Sequence, residues 1–191
     1  MKLSGVIKLI LIFIVVLLIF HFKKYNKCSD GYEIEQQELD YIKGDELYNI
    51  NNPLIITFIE NNTLKFNVDT YRLYSPLSIK RTYTNLNTSD FYYSHCGEIM
   101  LIRPNKDIKI ELINPKYSRF FKKIEKNNLI KYTLEDKNFS EVASIEIILH
   151  EYNILFVPRF WLLTISNNDN NSHIEVYTCH NIFTYLFNII N

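Results

Sequence analysis

A chain of 191 residues, less an N-terminal segment of about thirty, suffices for one domain with a real core and is too short for two. Basic and acidic residues balance at 21 each, so the formal net charge is zero and there is no global electrostatic pull on nucleic acid. Nucleic acid is set aside as a partner. A hydrophobic fraction of 47% and an aromatic fraction of 15% exclude disorder.

The first element in chain order is an apolar run, Val6 to Phe22, whose only charge is Lys8. Seventeen helical residues span about 26 Å, just under a hydrocarbon core of about 30 Å. Lys2, Lys8, Lys23 and Lys24 reach the headgroups by snorkelling and cover the shortfall. A buried core helix would keep a polar face, and this run has none. The rival is a cleaved signal peptide, which needs small residues after the apolar run; HFKKYNKCSD offers no such pair. The expectation is therefore an uncleaved signal anchor over residues 1–24, a single-pass tether in contact with the lipid bilayer through residues 6–22.

Lys23, Lys24 and Lys27 outnumber Lys2 plus the α-amine and lean the domain towards the cytoplasmic side. Four N-x-S/T sequons, at Asn61, Asn87, Asn138 and Asn170, pull the other way, but in so asparagine-rich a chain they decide nothing. Cys28, Cys96 and Cys179 are widely spaced and odd in number. Three free thiols are expected rather than a disulfide framework or zinc ribbon, and Cys28 is placed for palmitoylation.

Residues 25–52 read as a polar linker with a short helix, from the spacing of Ile34, Leu39 and Ile42. Asn51-Asn52-Pro53 then punctuates the chain. Beyond it, over 53–191, short apolar runs alternate with Asn/Asp/Ser-rich breaks, the pattern of a mostly β domain. The expected strands are Leu54–Ile59, Thr63–Val68, Glu98–Ile102, Asp107–Ile113, Ala143–His150, Ile154–Val157, Trp161–Ser166 and His173–Cys179. In the fourth, Ile108, Ile110 and Leu112 alternate with Lys109 and Glu111, giving one buried and one solvated face. The segment SNNDNNS reads as a loop, and Ile182–Ile190 as a short C-terminal packing helix, too short to span a membrane.

Two stretches carry a resemblance. GEIMLIRPNKDIKIELINPKYSRFF, residues 97–121, and HEYNILFVPRFWLLTI, residues 150–165, resemble cupin-like relatives of the JmjC domain, including membrane-anchored members found in large DNA viruses. The matching residues are Pro115, Lys116, Tyr117, Ser118, Arg119 and Phe120 in the first, and Phe156, Val157, Pro158 and Trp161 of the Pro-x-x-Trp turn in the second. NNPLIITFI, residues 51–59, is similar to the Pro-led strand that opens many such domains. The abundance of Ile, Asn, Lys and Tyr with only four glycines matches the AT-rich coding of some such viruses and of some protists. A viral origin would put the anchor in a host or virion membrane.

The resemblance implies a double-stranded β-helix, and in active members an iron(II) and 2-oxoglutarate dioxygenase whose metal sits in a facial triad. There the first two ligands form His-x-Asp/Glu, since residues two apart on a strand share a face. The third is a His on the strand after the Pro-x-x-Trp turn. This sequence departs at both ends. Leu162 or Leu163 occupies the place of the last donor, and His95 is followed at a spacing of three by Glu98. His173-Ile174-Glu175 has the right spacing at the wrong end, so a permuted site from His95, His173 and Glu175 is the remaining metal candidate.

His150-Glu151 is expected in a turn. Lys116, Arg119, Lys122 and Lys123 form a basic stretch, expected as a solvated loop. Tyr83 to Tyr93 is expected as core and edge packing, with a ligand cleft as the sharper option. No GxSxG, Walker A, HExxH or CxxC pair is present.

The function expected is a non-catalytic, pseudoenzyme-like cupin module on a membrane, with an unidentified protein partner and no cofactor. The alternative is a divergent oxygenase with an atypical ligand set using Fe(II) and 2-oxoglutarate. A small-molecule or sugar-binding cupin with a polar pocket is the third reading.

Overall fold

The computed structural model describes residues 3–25, 31–38, 51–57, 78–86, 91–95, 97, 99–126, 129–135, 141–151, 153–166 and 174–181. The expected strand Thr63–Val68, the loop 166–172 beyond its first residue, and the C-terminal helix 182–190 lie outside these residues.

Helix α1 (Leu3–Tyr25) is followed by twelve strands among the described residues: β1 (Glu35–Glu38), β2 (Leu54–Thr57), β3 (Ser78–Leu86), β4 (Tyr92–Ser94), β5 (Ile99–Pro104), β6 (Ile108–Ile113), β7 (Phe121–Lys126), β8 (Ile130–Leu134), β9 (Ser144–Leu149), β10 (Ile154–Val157), β11 (Leu162–Ser166) and β12 (Ile174–Asn181). A 3-10 turn, Pro115–Phe120, links β6 to β7. Two six-stranded sheets result, ordered β1-β2-β10-β5-β12-β3 and β7-β8-β4-β11-β6-β9.

The winding follows from the pairings. β6 pairs with β9 and β4 with β11 in one sheet, β5 pairs with β10 and β3 with β12 in the other, and all four pairs are antiparallel. The run β3–β6 is thus one arm of a long hairpin and β9–β12 the other. That hairpin is rolled so that successive strands of each arm fall in opposite sheets. This is a jelly roll, the two-sheet solution that shields most strand edges. β1 and β2 lengthen one sheet beside β10, and the β7–β8 hairpin lengthens the other beside β4.

The core lies between the sheets and follows the period-two pattern of the strands. Ile108, Ile110 and Leu112 of β6 point in, as their alternation with Lys109 and Glu111 predicts. They meet Met100 and Ile102 of β5, Leu155 and Val157 of β10, Leu163 and Ile165 of β11, and Ile174 and Val176 of β12. Central strand β10 is buried on both faces; Phe156, with its register partners Leu54 and Leu101, lies on the face away from that core and is also buried. A smaller cluster of Ile113, Phe121, Val142 and Leu162 lies on the outer face of the other sheet, with Tyr117 and Phe120 of the 3-10 turn against it.

The linker expectation is corrected at its centre. Residues 35–38 form a strand parallel to β2, Glu35 opposite Leu54, and Ile34 packs against the main core. A helix over Ile34, Leu39 and Ile42 therefore does not begin where the spacing put it. The pairing of β1 with an edge of the sheet outweighs the helical periodicity of so short a stretch.

Asn114 holds this lead segment in place. Fully buried, it accepts from the Lys116 amide at 3.0 Å through Oδ1, capping the 3-10 turn, while its Nδ2 donates to the Gly31 carbonyl at 3.1 Å. Asn114→Ala removes both bonds inside a dry environment. The expected cost is about 2 kcal/mol, read as a lower urea midpoint at unchanged m-value.

Helix α1 differs from everything else in the molecule. From Ile7 to Phe20 its large apolar side chains are 38–75% exposed, with no polar stripe among them. Among the described residues no helix is long and apolar enough to cross a membrane, the side chains described in α1 being those of Gly5–Phe20. The helix as a whole has 23 residues, or about 34 Å of length.

Candidate functional site

One end of the barrel gathers the C-terminal ends of β4, β10 and β12 with the starts of β5 and β11. The register places Val157 opposite Met100, and Met100 opposite Thr178. His95 follows directly on β4 and is fully buried there. It stands where the resemblance sets the first iron ligand.

The geometry decides its tautomer. His95 Nε2 lies 3.0 Å from the Val157 carbonyl and 3.2 Å from the Pro158 carbonyl. Carbonyls only accept, so Nε2 carries the proton and Nδ1 is left as a lone pair. Nδ1 is buried without a hydrogen-bond partner among the described residues. Burial, and after it the Arg159 guanidinium, lowers the His95 pKa to about 3; the two carbonyls oppose this, and His180 lowers it slightly further. The ring is therefore neutral through the physiological range. A neutral imidazole can accept one hydrogen bond or give a lone pair to a metal, but it cannot serve as a general acid at neutral pH.

The turn after β10 is locked onto the loop after β4. The Phe160 amide donates to the His95 carbonyl at 3.4 Å, and Arg159 Nε donates to the Gly97 carbonyl at 3.1 Å. Phe160 takes φ of 66°, a left-handed conformation that costs a bulky residue about 1 kcal/mol or more and is kept only where surrounding contacts impose it. Trp161, 1% exposed, fills the core beyond this turn, and its Nε1 donates to the Asn51 carbonyl at 3.2 Å. The Pro-x-x-Trp segment thus joins the barrel end to the Asn51–Pro53 punctuation, as a plug should.

The sequence candidates do not converge. Leu163, paired with Tyr93 of β4, points into the main core, while Leu162 points to the outer cluster. The strand position facing His95's neighbourhood is therefore aliphatic. Glu175 stands between the core-facing Ile174 and Val176, which puts its side chain on the opposite face, where it accepts from the Tyr177 hydroxyl at 3.1 Å. The permuted set of His95, His173 and Glu175 is corrected on that ground, since alternate strand residues cannot share a face. His173, Cys96 and Glu98 lie outside the described residues. Sequence reasoning missed Thr178 and His180, which are buried on the inner face of β12; their i, i+2 spacing from Val176 was the available signal.

His150 sits in a turn, as expected. Its Nδ1 is 2.8 Å from Asp107 Oδ2, and the Glu151 amide donates to Asp107 Oδ1 at 3.2 Å. The His150 contact, ahead of the amide, holds the Asp107 carboxyl below its ordinary range. This clamp ties the β9–β10 turn to the β5–β6 turn at the exposed surface. The basic stretch is corrected: it is no loop, because Lys116 and Arg119 belong to the 3-10 turn and Lys122 and Lys123 to β7.

No family model matches this sequence, and no curated protein is similar to it. Among solved structures, a dTDP-4-dehydrorhamnose 3,5-epimerase from Elizabethkingia anophelis is 11% identical, with a TM-score of 0.30, over 62% of this chain and 60% of that one. The chain thus spans about 60% of that structure's length. At that TM-score the likeness carries no weight, so the assignment of the fold rests on strand order. By that order the protein is a mostly β, two-sheet jelly roll preceded by an apolar helix.

Proposed function

We propose that this protein is a bilayer-tethered, cupin-like module that acts by presenting an interaction surface, not by iron-dependent oxidation. One observation carries the non-oxidative reading: Leu163 points into the core where the family's last iron donor would stand, packed with Trp161, Val157 and Met100. An aliphatic side chain has no lone pair for a metal. His95 adds to it, because the Arg159 charge beside that ring opposes a divalent cation as it opposes a proton. The tether is supported by the uninterrupted exposed apolar surface of α1. A helix apolar on all sides needs protein or lipid around it, and its full length matches a hydrocarbon core of about 30 Å.

Two measurements test the two halves. The full chain is expected to stay with membranes through alkaline carbonate extraction, and the chain lacking residues 1–24 to enter the soluble fraction. Release of the full chain would overturn the tether. Purified with Fe(II), the full chain is expected to decarboxylate 2-oxoglutarate no faster than buffer, and turnover above that background would restore the oxygenase. That second reading keeps one foothold, the buried lone pair of His95 Nδ1. It needs further donors, and among the described residues no group of three or more His, Cys, Asp and Glu is placed to hold a metal ion.

A further inference from the structure

We infer that the segment Pro115–Ile124 is a headgroup-docking surface that lays the jelly roll against the anionic leaflet bordering its anchor. This rests on the tether proposed above and adds which face of the domain meets the lipid. The segment reads PKYSRFFKKI, with four cations and no carboxylate. Lys116, Arg119, Lys122 and Lys123 are all exposed. Lys122 is shared with Glu135 at 3.5 Å, a pair open to solvent on both sides and so a weak competitor.

The aromatic residues are interleaved with these charges. Lys116 Nζ lies 4.2 Å from the Tyr32 ring centroid and 5.2 Å from that of Tyr117, and the Arg119 guanidinium lies 4.8 Å from the Phe120 ring. Tyrosine rings beside basic side chains suit the headgroup layer, where one end of each ring is wet and the other apolar. Neutral protein surface offers no reason for such a one-signed strip in a chain of zero net charge.

Covalent reach supplies the location. Asn114, which caps this 3-10 turn, holds the Gly31 carbonyl, and Gly31 is six residues past the end of α1 at Tyr25. Six residues reach at most about 20 Å. The basic turn therefore begins within about 20 Å of the helix end, whatever path residues 26–30 take. A link that short keeps the surface at a high effective concentration near the bilayer. The attraction for an anionic leaflet then acts on a strip already held close by.

Lysine footprinting of the full chain in vesicles tests this, using a neutral acetylating reagent on neutral phosphatidylcholine and on a mixture with about 30% phosphatidylserine. On the anionic vesicles Lys116, Lys122 and Lys123 are expected to react on the order of tenfold more slowly. Lys106, beyond the far end of β6, should be unchanged. About 1 M salt should restore the rates, and K116Q/R119Q should return Lys122 and Lys123 most of the way. Equal rates on both vesicles, with the protein still membrane-bound after carbonate, would overturn the docking surface and leave the tether standing. Slowing on both vesicles that ignores salt would also overturn it, pointing to self-association. A chain that binds neither vesicle would take down the tether itself, and the docking surface with it.

Discussion

Replacing His95 with glutamine is expected to flatten the acid side of the stability profile. In the folded protein the ring resists protonation until about pH 3, whereas in the unfolded chain it accepts a proton near pH 6.5. Between those values the unfolded state binds the extra proton. Stability from this group is therefore complete above about pH 6.5 and falls by about 1.4 kcal/mol for each pH unit below it, levelling off near pH 3. The total is roughly 4 kcal/mol, an order-of-magnitude figure for a fully buried group. Glutamine keeps an N–H donor for the Val157 and Pro158 carbonyls and cannot titrate. At pH 7 the variant should be less stable by about 1–2 kcal/mol, for lost packing. The two proteins should converge as pH falls towards 4, measured by urea midpoints at each pH. Parallel pH profiles would mean that the ring is open to water in solution.

Trp161→Ala should cost about 3–5 kcal/mol, the range for emptying a large aromatic site in a packed core. Three features place it at the upper end. The side chain is almost fully buried, it fills the space between the two sheets at the closed turn, and its indole N–H satisfies the Asn51 carbonyl. Trp161→Phe keeps most of the volume but loses that bond, so about 1–2 kcal/mol is expected. Denaturation midpoints of the three proteins check the order. A loss below 1 kcal/mol for the alanine variant would show that Trp161 does not join the sheets. Since Phe160 is held at positive φ beside it, loosening of the turn should also expose the His95 carbonyl to faster amide exchange at Phe160.

The strands that were legible share one trait: a sharp contrast between their faces. β6 alternates Ile108, Ile110 and Leu112 with Lys109 and Glu111, and β10 is a short apolar run closed by Pro158. β7 and β8 were not legible. In FKKIEK only Phe121 is buried, and no residue of KYTL in β8 is fully so. A strand at or near a sheet edge needs one covered side chain rather than an alternating set, and charged residues protect its open edge. β1 was missed for the same reason, since EQQE has no apolar member and is held by pairing with β2 alone.

The sequence by itself determined the apolar helix, the mostly β domain after Pro53, and the aliphatic residue at the position of the last donor. Each depends on residue type or on a period of two or 3.6, which is local information. Only the tertiary structure decided that Leu163 rather than Leu162 faces the core, and that Glu175 turns its back on His95. It alone placed two carbonyls on Nε2, and with them the tautomer and acid resistance of that ring. It alone tied Gly31 to Asn114 and so brought a basic turn to the foot of the anchor. Those facts depend on strand register and on contacts between residues more than sixty positions apart, and no window along the chain contains both partners.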